Sequence, residues 1–208
     1  MTHEVKHPDA ASEVLVDLEA CLCQAEASKQ WFDRKVLPLT VKDLRWRPGP
    51  QAWSIGQYLD HLNLTLALYL PRVNDAIASA SPAESATPPL PLGAASEIQT
   101  IRLIEPPGCI HLCTPAETVP PAATDPDQLV DGFYQNRDRY ADTVRRAFGI
   151  DLTILIPDPM IPPIRTVGGT LAFLAAHDRG HIWQAQWIRR ALAGDLARAQ
   201  AAGQPRRE

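Results

Sequence analysis

Proline placement constrains this chain more than any other feature. Half of its 20 prolines fall between Pro82 and Pro126. A residue that fixes φ and lacks an amide donor keeps long helices and inner strands out of a segment so dense in it. Most regular structure must therefore come from the blocks on either side, joined by a Pro-rich connection over about residues 81–124. A connection of that length is too long to be structureless without a purpose. The 208 residues suffice for one ordinary domain and not for two. The expectation is a single domain over 1–208 with flexible ends at 1–8 and 195–208.

Four segments carry helical periodicity. Asp9 after Pro8 offers a cap for the first, in which Val14, Leu15, Leu18, Leu22, Ala25, Phe32 and Val36 recur at helical spacings. The second opens at Ser54, where Ser54 and Gln57 form a capping box and Trp53 can staple to Tyr58. Its stretch Leu62 to Leu70 places leucine at every second position, which is a strand pattern. Leucine and alanine lack β-branching and the cap lies directly upstream, so helix prevails, and Pro71 is expected to kink it or end it. The third opens at Asp125-Pro126 and runs through Leu129, Phe133, Tyr140, Val144 and Phe148 to a stop at Gly149. The fourth covers about 166–192, with Gly194 beyond its end. Between them, Ile98 to Ile104 reads as a short extended piece and Ile150 to Ile156 as a short strand or extended linker. The fold class that follows is all-α, a four-helix bundle with a long Pro-rich crossover between the second and third helices.

Charge and hydropathy remove several classes of function. The formal net charge is −4 and no basic cluster exceeds Arg206-Arg207, so the electrostatic footprint of a nucleic-acid binder is missing. No apolar run approaches the ~18 residues of a membrane span, and the polar start MTHEVKHPDA has no signal-peptide core. The expected location is cytoplasmic. Cys21 and Cys23 would stand ~200° apart on a helix and cannot pair, which leaves only Cys109 and Cys113 as a conceivable bridge.

Histidine spacing points to chemistry. His3-Glu4-Val5-Lys6-His7 matches the zinc-protease pattern H-E-x-x-H, yet it lacks an apolar flank and runs into Pro8, so it reads as a solvated terminus. His177 and His181 stand ~40° apart on one helical face, in a stripe with Thr170, Phe173, Leu174, Gln184 and Ile188. Arg179, Gln186 and Arg190 point the other way. The pair is either two core histidines, each satisfied by hydrogen bonds, or two ligands of one metal, which answers both desolvation costs at once. His61, seven residues after its N-cap, is either a histidine at the edge of an apolar face or the third ligand. Three protein ligands leave a coordination position open, the hallmark of catalytic rather than structural sites.

The phrase Trp46-Arg47-Pro48-Gly49-Pro50-Gln51-Ala52-Trp53-Ser54-Ile55, followed by Asp60-His61-Leu62, resembles the first signature of the DinB-like (YfiT-like) superfamily. His177-Asp178-Arg179-Gly180-His181 with Gln184 resembles its second. The resemblance spans nearly the whole chain. It implies a four-helix bundle with a long crossover, a divalent metal held by His61, His177 and His181, and frequent homodimerisation. Relatives of that family include thiol S-transferases using bacillithiol or mycothiol, a maleylpyruvate isomerase, and many members with no known activity. The Pro-rich connection is longer here than the family's minimum.

Two other constellations compete. Cys109, His111 and Cys113 would share one side of an extended segment and offer zinc-type ligands, but they lack a fourth partner and a C-x-x-C knuckle. Asp178 would be a base in an H-D-x-x-H variant of the zincin pattern. It lies ~100° around the helix from His177, so it reads as a surface aspartate or one that supports a ligand. Two classes of function remain. One is a metal-dependent enzyme acting on a small molecule, a transferase of a low-molecular-weight thiol or a hydrolase, whose metal lowers the pKa of a bound thiol or water. The other is a non-catalytic metal-containing binding or stress-response protein. Three imidazoles suit zinc, nickel, iron or copper, with zinc or nickel the expected ion.

Overall fold

The computed structural model describes residues 16–80, 95–107, 114–122, 125–157, 161 and 164–203. Among them the chain is all-α: α1 (Leu18–Lys35), α2 (Val41–Arg45), α3 (Ile55–Ala78), α4 (Ala95–Ile104), a 3-10 turn (Ala116–Thr118), α5 (Pro126–Arg146) and α6 (Val167–Gly203). No helix among them is long and apolar enough to cross a membrane.

Local chemistry sets the helix starts. Asp9, the expected cap of the first helix, lies outside the described residues, as do Val14 and Leu15. The helix instead begins after Asp17, whose carboxylate accepts from the Ala20 amide at 2.9 Å. α3 begins as the sequence reads: Ser54 Oγ accepts from Gln57 N at 3.2 Å, and Gln57 Oε1 accepts from Ser54 N at 3.1 Å. The Trp53 and Tyr58 rings meet at 5.3 Å. Asp125 caps α5, with Pro126 in the first turn. Gly149 takes φ of 78°, a left-handed turn that glycine adopts without strain, although α5 itself stops at Arg146 and leaves Phe148 exposed.

Several details differ from these readings. Pro71 does not end α3, which continues to Ala78; burial of Val73, Ala76 and Ile77 on the core offsets a substitution that costs about 3 kcal/mol in a helix interior. Ile98 to Ile104 is not extended but lies in α4, because Glu97, Thr100, Ile101 and Ile104 are buried at the spacing of one helical face. α6 runs through Gly194 to Gly203, since a glycine with ordinary helical φ costs only about 1 kcal/mol. Thr40 and Asp43 form a second capping box that starts α2, a short helix between the first and second periodic segments. The stretch from Ile150 to Ile156 forms no strand, only an isolated antiparallel bridge between Leu155 and Thr166.

α4 is tied to the start of α6 by a buried carboxylate. Glu97, 1% exposed, accepts through Oε1 from the Arg165 amide at 2.7 Å and the Thr166 amide at 2.8 Å. Thr166 Oγ1 in turn accepts from Gly169 N at 2.9 Å. A negative group at a helix N-terminus meets both the free amides and the positive end of the dipole. A Cβ at Gly169 would stand 2.6 Å from Glu97 Oε1 and 2.8 Å from Thr166 Oγ1. Gly169→Ala is therefore expected to expel the Glu97 carboxylate and lower stability by about 1–3 kcal/mol, the usual cost of overpacking. Thermal unfolding checks this, and an unchanged midpoint would show that the anchor is dispensable.

The core lies between the long helices, with α1 and α3 each packed against both α5 and α6. It is divided into two apolar clusters. One holds Ala25, Leu66, Tyr140, Val144 and Leu174; the other holds Phe32, Leu62, Phe133 and Ile182. Between them each long helix contributes a polar residue: Ser28 from α1, Asn63 from α3, Arg137 from α5 and Asp178 from α6. Arg137 Nη2 and Asp178 Oδ1 form an ion pair, with the arginine side chain 1% and the aspartate side chain 9% exposed. Ser28 Oγ also donates to Asp178 Oδ2, and Arg137 Nη1 donates to Asn63 Oδ1 at 3.1 Å.

Candidate metal centre

Three imidazoles meet beside this polar layer. His61 stands on α3 two turns below its capping box and is buried, whereas His177 and His181 stand one turn apart on α6 and are half-buried. His177 Nε2 lies 3.2 Å from His61 Nε2 and 3.0 Å from His181 Nε2. The three ligand atoms all lie within 4.8 Å of one another. The helical phase read from the sequence thus brings together the three histidines it singled out.

The outer ring nitrogens decide what the inner ones can do. His61 Nδ1 donates to the Thr118 carbonyl at 2.7 Å, and His181 Nδ1 donates to Gln184 Oε1 at 2.6 Å. A neutral imidazole protonated on Nδ1 presents a lone pair on Nε2. Burial pushes the His177 pKa well below its ordinary value, and His181, His61 and Arg137 lower it further. Burial also lowers that of His61, in part offset by its bond to Thr118. The lone pairs of His61 and His181 both face His177 Nε2, and one cation among the three nitrogens would accept from all of them. Imidazole nitrogens held ~2.0–2.1 Å from one tetrahedral zinc stand about 3.4 Å apart, close to the two short separations observed. The donor set therefore fits a divalent ion.

Neighbouring groups fix the rings. The Thr118 carbonyl belongs to the 3-10 turn of the Pro-rich connection, and Gln57 Nε2 donates to Pro121 O at 3.3 Å, so the capping residue of α3 also grips that connection. Aromatic rings border the site: Trp53 lies 5.1 Å from His61, Tyr58 5.5 Å from His181 and Phe173 5.4 Å from His177, centroid to centroid.

Other residues singled out in the sequence fall elsewhere. Asp178 is neither on the surface nor among the converging groups; it is 6% exposed and committed to Arg137 and Ser28. Arg179 does not point freely outward: its guanidinium pairs with Glu105, just past the end of α4, and it is half-buried. Cys21 and Cys23 are both free, as their spacing requires. His3, His7, Cys109, His111 and Cys113 lie outside the described residues. Sequence reasoning missed Arg137, which with Asn136 interrupts the buried stripe of α5 between Phe133 and Tyr140. It also missed Thr118, which acts through a backbone carbonyl and leaves no side-chain signal.

Comparison with known proteins gives one match. The family model described as the DinB superfamily matches residues 24–185, from α1 to just beyond His181 and Gln184 on α6. No curated protein and no solved structure matches the chain.

Proposed function

The chain belongs to the DinB superfamily, and on that premise we propose that it is a metal-dependent enzyme in which His61, His177 and His181 hold one divalent ion, zinc or nickel. The observation that carries this reading is the convergence of three Nε2 atoms, two of them on rings whose other nitrogen is tied to an oxygen acceptor. Such outer bonds set the tautomer and orientation of ligating histidines. In this reading the four long helices are the superfamily's four-helix bundle, one domain spans the chain, and a homodimer is the working assembly.

A divalent ion with an open position lowers the pKa of a bound thiol or water, so that a nucleophile exists at neutral pH. The residues of this chain do the rest. Thr118 and Gln184 hold two imidazoles in the ligating tautomer, and the half-buried Trp53 and Tyr58 rings border them. In this reading the nucleophile comes from solution, and burial pushes the Cys21 thiol up and away from the reactive thiolate. The reaction is transfer of a low-molecular-weight thiol to a small electrophile, or hydrolysis of a small molecule. Free thiols near pKa ~8.5 are already a few per cent thiolate at pH 7, so metal activation adds little more than an order of magnitude. Positioning of the electrophile must supply most of the acceleration.

Elemental analysis of untagged protein tests the site. Near one metal per chain is expected, with most of it lost in each of His61→Ala, His177→Ala and His181→Ala; full retention in these variants overturns the site. Turnover of a chlorinated or epoxide electrophile with a thiol panel tests the reaction. Should metal bind without turnover above the His177→Ala background, a binding role replaces the transferase reading.

A further inference from the structure

A second concave feature lies between α3 and α5. It has a volume of about 270 Å³, and its α3 wall is Ala67, Leu70, Pro71 and Asn74. Pro71 stands ~15 Å along the helix axis and ~80° around it from His61, and no histidine of the metal centre lines this groove. Pro71 shapes its floor in two ways. The ring adds apolar surface beside Leu70, and without an amide hydrogen residue 71 cannot donate to the Ala67 carbonyl. One residue on, Arg72 Nη1 donates to the Leu68 carbonyl at 2.6 Å.

The α5 wall brings positive charge. Arg139 and Arg146 both line the groove. Arg146 Nη1 donates to Asn74 Oδ1 at 2.9 Å, an oxygen also held by Thr143 Oγ1 at 3.2 Å, so this guanidinium is fixed at the rim with other N–H groups to spare. Among the described residues the Arg139 guanidinium makes no ion pair or hydrogen bond. The one acid in the lining, Asp142, is committed to Arg145 at 2.7 Å. The uncompensated charge is therefore positive, above an apolar floor.

We propose that the α3–α5 groove binds a small organic carboxylate. Its apolar body lies on Leu70 and Pro71, its acid group meets Arg139 and Arg146, and the Ala67 carbonyl favours acids that carry a hydroxyl or ammonium group. At about 270 Å³ the groove lies just below the ~300–1,000 Å³ typical of ligand pockets, which suits a small ligand. Guanidinium groups match carboxylate geometry through paired N–H donors.

Calorimetric titration of the full chain with mandelate, phenylacetate and mandelamide tests this. Mandelate is expected to bind saturably at one site, phenylacetate more weakly, and the neutral amide not at all. Arg139→Gln combined with Arg146→Gln should weaken mandelate by about tenfold or more, the scale of a lost charge-assisted contact. Both positions are exposed, so the variant folds as the parent does. Pro71→Ala restores the helical amide and is expected to erase the preference for mandelate over phenylacetate. His177→Ala should leave the mandelate and phenylacetate affinities unchanged, which separates the groove from metal-bound carboxylate. Equal binding of mandelamide, an unaffected arginine double variant, loss of binding in His177→Ala, or no binding in the millimolar range overturns the proposal.

Discussion

Asp178→Ala is expected to cost about 3–5 kcal/mol of folding stability, the range for breaking a buried ion pair from one side. The reason is what the substitution leaves behind. Arg137 is wholly buried between the two apolar clusters, with Nε lacking any hydrogen-bond partner. Burial alone pulls its pKa down, and the charge of Asp178 and its hydrogen bond counter that pull. Remove the carboxylate, and a guanidinium remains in the core with Asn63 Oδ1, the Phe133 carbonyl and the Phe133 ring face as its remaining contacts. Ser28 loses an acceptor in the same step. Replacing both charges at once, as Arg137→Met with Asp178→Leu, should recover most of the loss, because apolar groups of similar volume carry no uncompensated charge. Urea unfolding of the parent, Arg137→Met, Asp178→Leu and the double variant gives the coupling energy of the pair. A cost below about 1 kcal/mol for Asp178→Ala would mean that the pair is not the polar anchor of the core.

The parts of the molecule legible in the sequence are those governed by local chemistry. The Ser54 and Gln57 box, the Trp53 staple and the Asp125-Pro126 start each involve residues within five positions, and each forms as read. The phase of His61, His177 and His181 was legible for a related reason: once a helix is placed, its period fixes which side chains share a face. What escaped depends on distant partners. Ile98 to Ile104 looks extended because prolines flank it, and only Glu97 reaching the amides of Arg165 and Thr166 shows why a helix is held there. Asp178 supports two readings until Arg137 is seen against it. Pro71 breaks a rule of helix interiors, and tertiary burial on both sides of it overrides that rule.

Removal of the metal should be the other large effect, and it is read on the folded protein without any substrate. A ligand that binds only the native state stabilises it by RT ln(1 + [L]/Kd), about 2.7 kcal/mol at one hundred times Kd. For a chain of this length each kcal/mol shifts the midpoint by roughly 2–4 °C, so a chelator is expected to lower Tm by about 5–11 °C, and readdition of zinc or nickel to restore it. The shift reports on fold because the three ligands join distant pieces of chain. His61 links α3 to the 3-10 turn through Thr118, and His177 and His181 belong to α6. Their Nε2 atoms converge at 3.0 and 3.2 Å, so a cation among them would tie α3 to α6. His61→Ala, His177→Ala and His181→Ala should each abolish the response to both chelator and metal, whereas His3→Ala, His7→Ala and His111→Ala should keep it. A response that survives in the first three variants would place the ion elsewhere and remove the basis for an open three-histidine centre. Trp53, 5.1 Å from His61, provides a fluorescence readout of the same binding, and its change on metal addition should vanish with the same three substitutions.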